Sequence, residues 1–341
     1  MSPSVPIGDV RSLSSGTLIN STKKATKLIR NFTLKRDVHL ADKIFFLGLL
    51  FTSFLTVILL ASIGLFLYLA SEKAIAASGW QIIFRSLWDP VRDVYGVLPV
   101  LYGTLVSSLL GVIFAVPLSL GIALFTNELA PKKLATIVGF LVELLAAIPS
   151  VVYGLWGIFV LVPLLRGSIQ PFLIENLGFL PIFTGPAYGV GMFTSGLILA
   201  LMITPTISSI SREVFRAIPH SQREAALALG ATRWEMMRLS VLKSAKAGVF
   251  GAIILGLGRA LGETMAVTMV IGNRAEIVAS LFAPAQTMAS VIANEYTEAT
   301  SEIHLSTLAF VGLLLFMVTF LVNSIAHLII SKITKKHTGT F

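Results

Sequence analysis

Two ionisable side chains stand inside an otherwise apolar stretch, Arg259 and Glu263 in Gly256-Leu257-Gly258-Arg259-Ala260-Leu261-Gly262-Glu263-Thr264. Charges in hydrocarbon are costly, so an intramembrane arginine or glutamate is first of all a candidate for function. From Ala247 to Gly272 no other charge occurs, and at ~1.5 Å per residue that stretch can cross a hydrocarbon layer ~30 Å thick. The expectation is one helical span with Arg259 near the midplane. Four positions apart on such a helix, Arg259 and Glu263 share a face, where they can pair or jointly meet a passing ion. The alternative is a structural ion pair that locks the span to its neighbours. Gly251, Gly258 and Gly262 favour close helix packing under either reading. Thr264 and Thr268 either add hydroxyls to a path or bond back to the helix.

The rest of the chain must hold that pair in a membrane. Of its 341 residues, 55% are hydrophobic and 13% charged, a balance too apolar for a soluble domain of this size. Five further apolar segments, about 44–70, 98–126, 134–165, 189–210 and 305–330, approach or exceed the roughly 20 residues a span needs. The fold expected is all-α, a polytopic transmembrane bundle of about six spans. Pro149 interrupts the third segment, which is read as one kinked span, with a re-entrant piece or a seventh crossing as alternatives.

The net charge of +9 does not point to nucleic acid, because the basic residues are segregated. Residues 1–43, 127–133, 211–246 and 331–341 hold 20 of the 26 Lys and Arg, and the intervening loops hold 5. By the positive-inside rule both termini are cytoplasmic and three loops face outward. There is no cysteine, which excludes disulfides and thiolate metal sites. His39, His220, His304, His327 and His337 fall near expected membrane edges or in tails and loops, and no metal site is assigned to them.

Four regions follow. Residues 1–42 read as a basic cytoplasmic tail with little to bury. Residues 43–97 hold an uncleaved first span and an outer amphipathic segment, with Trp80, Ile82, Ile83, Phe84, Leu87 and Trp88 as interfacial anchors. Residues 98–330 form the core, and 331–341 a second cytoplasmic tail. Within the core, outer loop 166–188 has Pro171, Pro181 and Pro186 and should be irregular and compact. In the last outer loop Glu276, Glu295, Glu298 and Glu302 face only Arg274, an acidic rim that could dock a carrier protein or simply be solvated. Glu143, just before Pro149, is expected to pair with Arg259 or to reach the inner interface.

The one sizeable inner loop, 211–246, contains Ser221-Gln222-Arg223-Glu224-Ala225-Ala226-Leu227-Ala228-Leu229-Gly230-Ala231-Thr232-Arg233-Trp234-Glu235. Ser221 with Glu224, and Thr232 with Glu235, have capping-box spacing, predicting two short helices. Gly230 suits the left-handed residue that closes the first. Trp234, Met237 and Val241 then make an apolar stripe that wants a partner groove. Glu224-Ala225-Ala226 followed by Gly230 resembles the EAA loop of ABC importer permeases, which in that family is the coupling helix seated in the cytoplasmic ATPase. The family pattern usually closes with Leu-Pro, where this chain has Leu242-Lys243, so the second coupling helix is expected to run on toward the fifth span.

Gly258, Arg259, Gly262, Glu263 and Thr264 with Met265-Ala266-Val267, the segment Ile148-Pro149-Ser150-Val151-Val152-Tyr153-Gly154-Leu155-Trp156-Gly157, and Ala293-Asn294-Glu295 resemble the PstC-type permeases of phosphate importers. The likeness covers about residues 98–330. It implies a type I ABC importer permease fold, in an inner membrane, translocating phosphate through a path that includes Arg259, Glu263 and Thr264. It also implies a PstA-type sister permease, two ATP-binding PstB-type subunits that hold ATP and Mg, and an extracytoplasmic phosphate-binding protein. A guanidinium offers a planar, permanently charged fork for phosphate oxygens, with Glu263 holding it when no anion is present. No Gly-x-x-x-x-Gly-Lys-Ser/Thr motif occurs, so this chain is expected to be no enzyme, to need no cofactor of its own, and to draw energy from a partner. A permease for another oxyanion, a secondary anion transporter or channel, and a membrane sensor of phosphate supply are the alternatives.

Overall fold

The computed structural model describes residues 40–338, and side chains from 42 to 332. The N-terminal tail expected over 1–42 therefore lies almost wholly outside the described residues. The chain divides into two compact units, Met1–Ile63 and Gly64–Phe341. In the first, described residues form most of helix α1 (Leu40–Ala70). Its large apolar side chains there, Phe45, Phe51 and Leu59 among them, are all exposed. A helix that is apolar all round belongs in lipid or against other helices.

The second unit carries α2 (Glu72–Ser78), α3 (Leu98–Leu129), α4 (Lys132–Ala147), α5 (Ser150–Leu177) and α6 (Met192–Arg216). Then follow α7 (His220–Ala228), α8 (Arg233–Leu261), α9 (Met265–Val270), α10 (Met288–Glu295) and α11 (Glu302–Thr338). No strand occurs among the described residues; pairing is limited to two isolated bridges. Among the described residues six helices, α1, α3, α5, α6, α8 and α11, are long and apolar enough to cross a membrane.

Pro149 separates two helices instead of kinking one. Ile148 (ψ 127°) and Pro149 (ψ 143°) are both extended, because the proline ring excludes the helical region from the residue before it. The apolar stretch 134–165 is thus split between α4 and α5, and α5 continues through wide π turns to Leu177. Only the end of loop 166–188 is irregular, apart from a 3-10 turn at Pro181–Phe183.

The buried centre is α6, whose membrane window is 72% buried, against 28% or less for the other five. It packs on α3 through reciprocal glycines. A Cβ on Gly111 would lie 2.9 Å from Leu199 Cβ, and one on Gly196 would lie 2.7 Å from Leu110 Cβ, so the two backbones approach as larger residues would forbid. On the other side α8 meets α6 at Gly256, where a Cβ would come within 2.7 Å of Ile207. Gly251, Gly258 and Gly262, expected to serve this purpose, have nearest neighbours at 3.5 to 3.8 Å.

After α9 the chain reverses at Gly272 (φ +93°) and Asn273 (φ +51°) and returns without helix to Thr287. Part of its backbone is bonded to the rest of the protein. Leu281 O and Ala283 O accept from Phe193 N (2.8 Å) and Met192 N (3.3 Å) at the start of α6, and Ala285 N donates to Ile271 O (3.0 Å). Irregular backbone at membrane depth is tolerated where protein supplies such partners. Gly103 of α3 makes room, since a Cβ there would sit 2.1 Å from Gln286 O.

Residues 71–97 are no free interfacial helix. Ala74, Ile82, Tyr95 and Val97 are buried in one cluster with Met288, Val291, Leu308 and Phe310 of α10 and α11, although Trp80 stays exposed. The acidic rim is likewise partly consumed. Glu295 accepts from Trp88 Nε1 (3.0 Å) and pairs with His304 Nε2 (2.9 Å), while Glu302 pairs with Lys73. Tyr95 stacks on His304, and its burial, together with the Asp93 carboxylate that accepts its hydroxyl, pushes its pKa above the ordinary phenol range. The expected tail 331–341 is helical as far as Thr338.

Candidate translocation site and coupling surface

The helix bearing Arg259 ends at Leu261, and Gly262, Glu263 and Thr264 form a break before α9. This corrects the expectation of an unbroken span from Ala247 to Gly272. Gly262 and Glu263 leave the helix, so the shared face of an i, i+4 pair is lost. No ion pair joins Arg259 to Glu263 among the described residues. Glu263 Oε1 instead accepts from Ala266 N at 3.3 Å, satisfying one of the free donors at the start of α9. Thr264 Oγ1 reaches Gly262 O at 3.3 Å, and Thr268 bonds back to Thr264 O at 2.7 Å.

Arg259 is exposed in the single chain. Its one hydrogen bond among the described residues is a long one, 3.5 Å from Nη1 to Thr206 Oγ1 of α6. A guanidinium has five N–H donors, so most of its capacity is open to a ligand. Two sequence stretches far apart along the chain meet here. α9 lies against the start of α5, where a Cβ on Gly154 would come within 2.5 Å of Met269 Sδ and one on Gly157 within 2.8 Å of Val270. α9, which follows the break, is therefore seated on the Ile148–Gly157 segment. Thr206 was not foreseen, since α6 holds several other hydroxyls, Thr204 and Ser208 among them, and nothing local singles it out. Glu143 does not reach Arg259 either, and pairs with Arg212 at 3.0 Å.

Of the two expected short helices, the first is α7 and the second is the opening turn of α8, Arg233–Met236. Pro219, not Ser221, occupies the N-cap of α7, and no side-chain cap forms there, so Ser221 and Glu224 make no capping box. The Thr232–Glu235 box is formed, with Glu235 N to Thr232 Oγ1 at 3.3 Å and Thr232 N to Glu235 Oε2 at 2.8 Å. Gly230 is left-handed, φ +85°. α8 runs unbroken through Leu242-Lys243. Glu224, Ala225 and Gly230 are exposed and Ala226 half-buried. The apolar stripe divides: Met237 and Val241 are buried with Ala123 and Phe215, whereas Trp234 is 62% and Leu229 90% exposed. The surface presented outward is thus Leu229 and Trp234 around Gly230.

Sequence reasoning also missed Arg223. Its Nε (3.2 Å) and Nη2 (2.9 Å) donate to Glu128 Oε1, its Nη1 to Ile218 O (2.6 Å), and its Nη2 also to Phe215 O (2.7 Å).

A bundle of long apolar helices packed around the buried α6, with one open arginine at a helix break and an apolar knob between α7 and the start of α8, defines an integral membrane protein. Residues 115–335 match the model of the family described as "Binding-protein-dependent transport system inner membrane component". The phosphate transport system permease protein PstC of Mesorhizobium japonicum is 42% identical over 91% of this chain and 95% of that protein. Its counterpart in Pasteurella multocida is 46% identical over 89% of this chain and 96% of that protein. A solved structure of the MetNI methionine ABC transporter in inward-facing form superposes with a TM-score of 0.51 at 17% identity, covering 68% of this chain and 93% of that one, a likeness of fold. The chain belongs to this family of inner membrane components, among the PstC phosphate transport system permeases.

Proposed function

We propose that this chain is a transmembrane permease subunit of an ATP-driven importer that moves inorganic phosphate across the cytoplasmic membrane. The observation that carries the reading is the identity of 42 to 46% to PstC permeases over about nine-tenths of the chain, reinforced by an arginine left open at a break in a membrane helix. Both termini face the cytoplasm, as the distribution of Lys and Arg supports. The complex would add a PstA-type sister permease, two PstB-type subunits that bind ATP and Mg, and an extracytoplasmic phosphate-binding protein. Glu224, Ala225, Ala226, Gly230 and Trp234 would form the surface offered to an ATPase subunit, with Leu229 beside them.

In this reading Arg259 receives the anion. A guanidinium and phosphate match as two forks, and exposure to a watery path keeps the attraction weak enough for release. Glu263 holds the turn by accepting from the start of α9, and Thr264 lies within that turn. Thr206 orients the guanidinium while no anion is bound. Closure of the ATPases would move α7 and the start of α8, opening the Arg259 side outward in alternation. The test is ATP-dependent uptake of labelled phosphate by vesicles holding the whole complex, with sulfate as competitor. Uptake blocked by sulfate as readily as by phosphate would refute the substrate assignment.

A further inference from the structure

We infer that Arg223 is the positioning residue that ties the coupling helix α7 to the membrane helices, so that a displacement of α7 is carried into α3 and α6 through its guanidinium. The inference rests on the importer reading and names a residue outside the Glu-Ala-Ala stretch. α7 has little else to hold it. Arg223 is its one buried residue; beyond that, Ala226 packs at the edge of the adjoining cluster and Gln222 accepts from Ser244 of α8 at 3.2 Å.

The Arg223 contacts are of two kinds. Phe215 O stands in the last turn of α6, where it also accepts from Ile218 N (3.3 Å), and Ile218 O lies two residues past the helix end, a place where a cation is favoured. Glu128 stands in the final turn of α3, oriented by Asn127 Nδ2 at 2.7 Å. Its side chain is 7% exposed and that of Arg223 11%, so water does not loosen the contact. One rigid fork thus joins three helix ends. From α6 the connection continues to Thr206 and so to Arg259. Lysine has one ammonium in place of the planar fork and would not span carboxylate and carbonyls together.

The whole complex in vesicles tests this, with phosphate uptake and ATP hydrolysis measured together at a temperature where the variants stay assembled. Arg223→Gln and Glu128→Gln should each lower phosphate moved per ATP hydrolysed by about tenfold, within the usual range of site-to-site coupling, and Arg223→Lys should fall between them and wild type. A ratio equal to wild type in either assembled glutamine variant overturns the inference. The chain has no native cysteine, so spin labels at Ser221→Cys and Leu129→Cys, with Arg223 retained, report whether α7 and the end of α3 move together. Their separation should stay constant between nucleotide-free and ATP-bound complexes; a nucleotide-dependent change overturns the inference even where the glutamine variants fail to assemble. Wild-type vesicles without ATP-dependent uptake would refute the importer reading itself, whereas wild-type uptake with unaltered ratios in the variants would refute the role of Arg223 alone.

Discussion

Arg223, at the base of α7, has all three guanidinium nitrogens engaged by Glu128 and two helix-end carbonyls, whereas Arg259, at the end of α8, keeps one 3.5 Å contact to Thr206 and stays exposed. Arg259 lies on a helix long and apolar enough to cross a membrane, where a charge is costly, and Arg223 lies on α7, buried against helix ends. The difference in their partners separates a charge that holds structure from a charge available to a ligand. A buried arginine with every guanidinium nitrogen engaged has little capacity left for a ligand. One with open donors, next to a break in a helix and a path to water, can bind an anion and return to its resting contact.

Stability measurements can break that contrast most sharply. Replacing Arg223 by Gln leaves Glu128 buried without its counter-charge, a loss of about 3–5 kcal/mol. Replacing Arg259 by Gln should cost under ~0.5 kcal/mol, as for surface substitutions. Thermal unfolding of the two detergent-solubilised variants checks this, and equal losses would abolish the distinction. Next in size is Gly103→Ala. The new methyl meets the Gln286 carbonyl, backbone that cannot rotate away, and about 1–3 kcal/mol of stability should be lost, seen as a lower unfolding midpoint.

Much of this was legible because bilayer thickness fixes helix length, so the apolar segments 44–70, 98–126, 189–210 and 305–330 fall on α1, α3, α6 and α11, whereas 134–165 splits at Pro149 and 247–272 breaks after Leu261. The i, i+4 reading of Arg259 and Glu263 failed for a local reason. It assumes an unbroken helix, and Gly262 supplies none of the side-chain contacts that would keep one going past Leu261. The Ser221–Glu224 box failed similarly, because Pro219 takes the N-cap and puts Ser221 inside the helix. The stripe expected of Trp234, Met237 and Val241 divides, because sequence spacing cannot tell a neighbour within the chain from one outside it. The Arg223–Glu128 contact joins residues 95 positions apart, beyond any local pattern.

Smaller effects sharpen the site. Glu263→Ala removes the acceptor for Ala266 N and should cost about 1 kcal/mol, as cap deletions do. Glu263→Gln keeps an acceptor and should leave both stability and uptake within about twofold of wild type, a difference of under ~0.5 kcal/mol. A large loss of uptake in Glu263→Gln would show that its charge serves the path. Thr206→Val removes only the long contact to Arg259, so uptake should change by less than about threefold.

The most direct test of the open arginine is ATP-dependent phosphate uptake in vesicles carrying equal amounts of assembled complex with wild-type chain or Arg259→Gln. A charge-assisted contact is worth about 1.5–3 kcal/mol, so uptake at limiting phosphate should fall roughly 10- to 150-fold while assembly and thermal stability hold. Uptake at the wild-type rate in that variant would contradict the account, leaving Arg259 as a structural charge with no part in moving the anion.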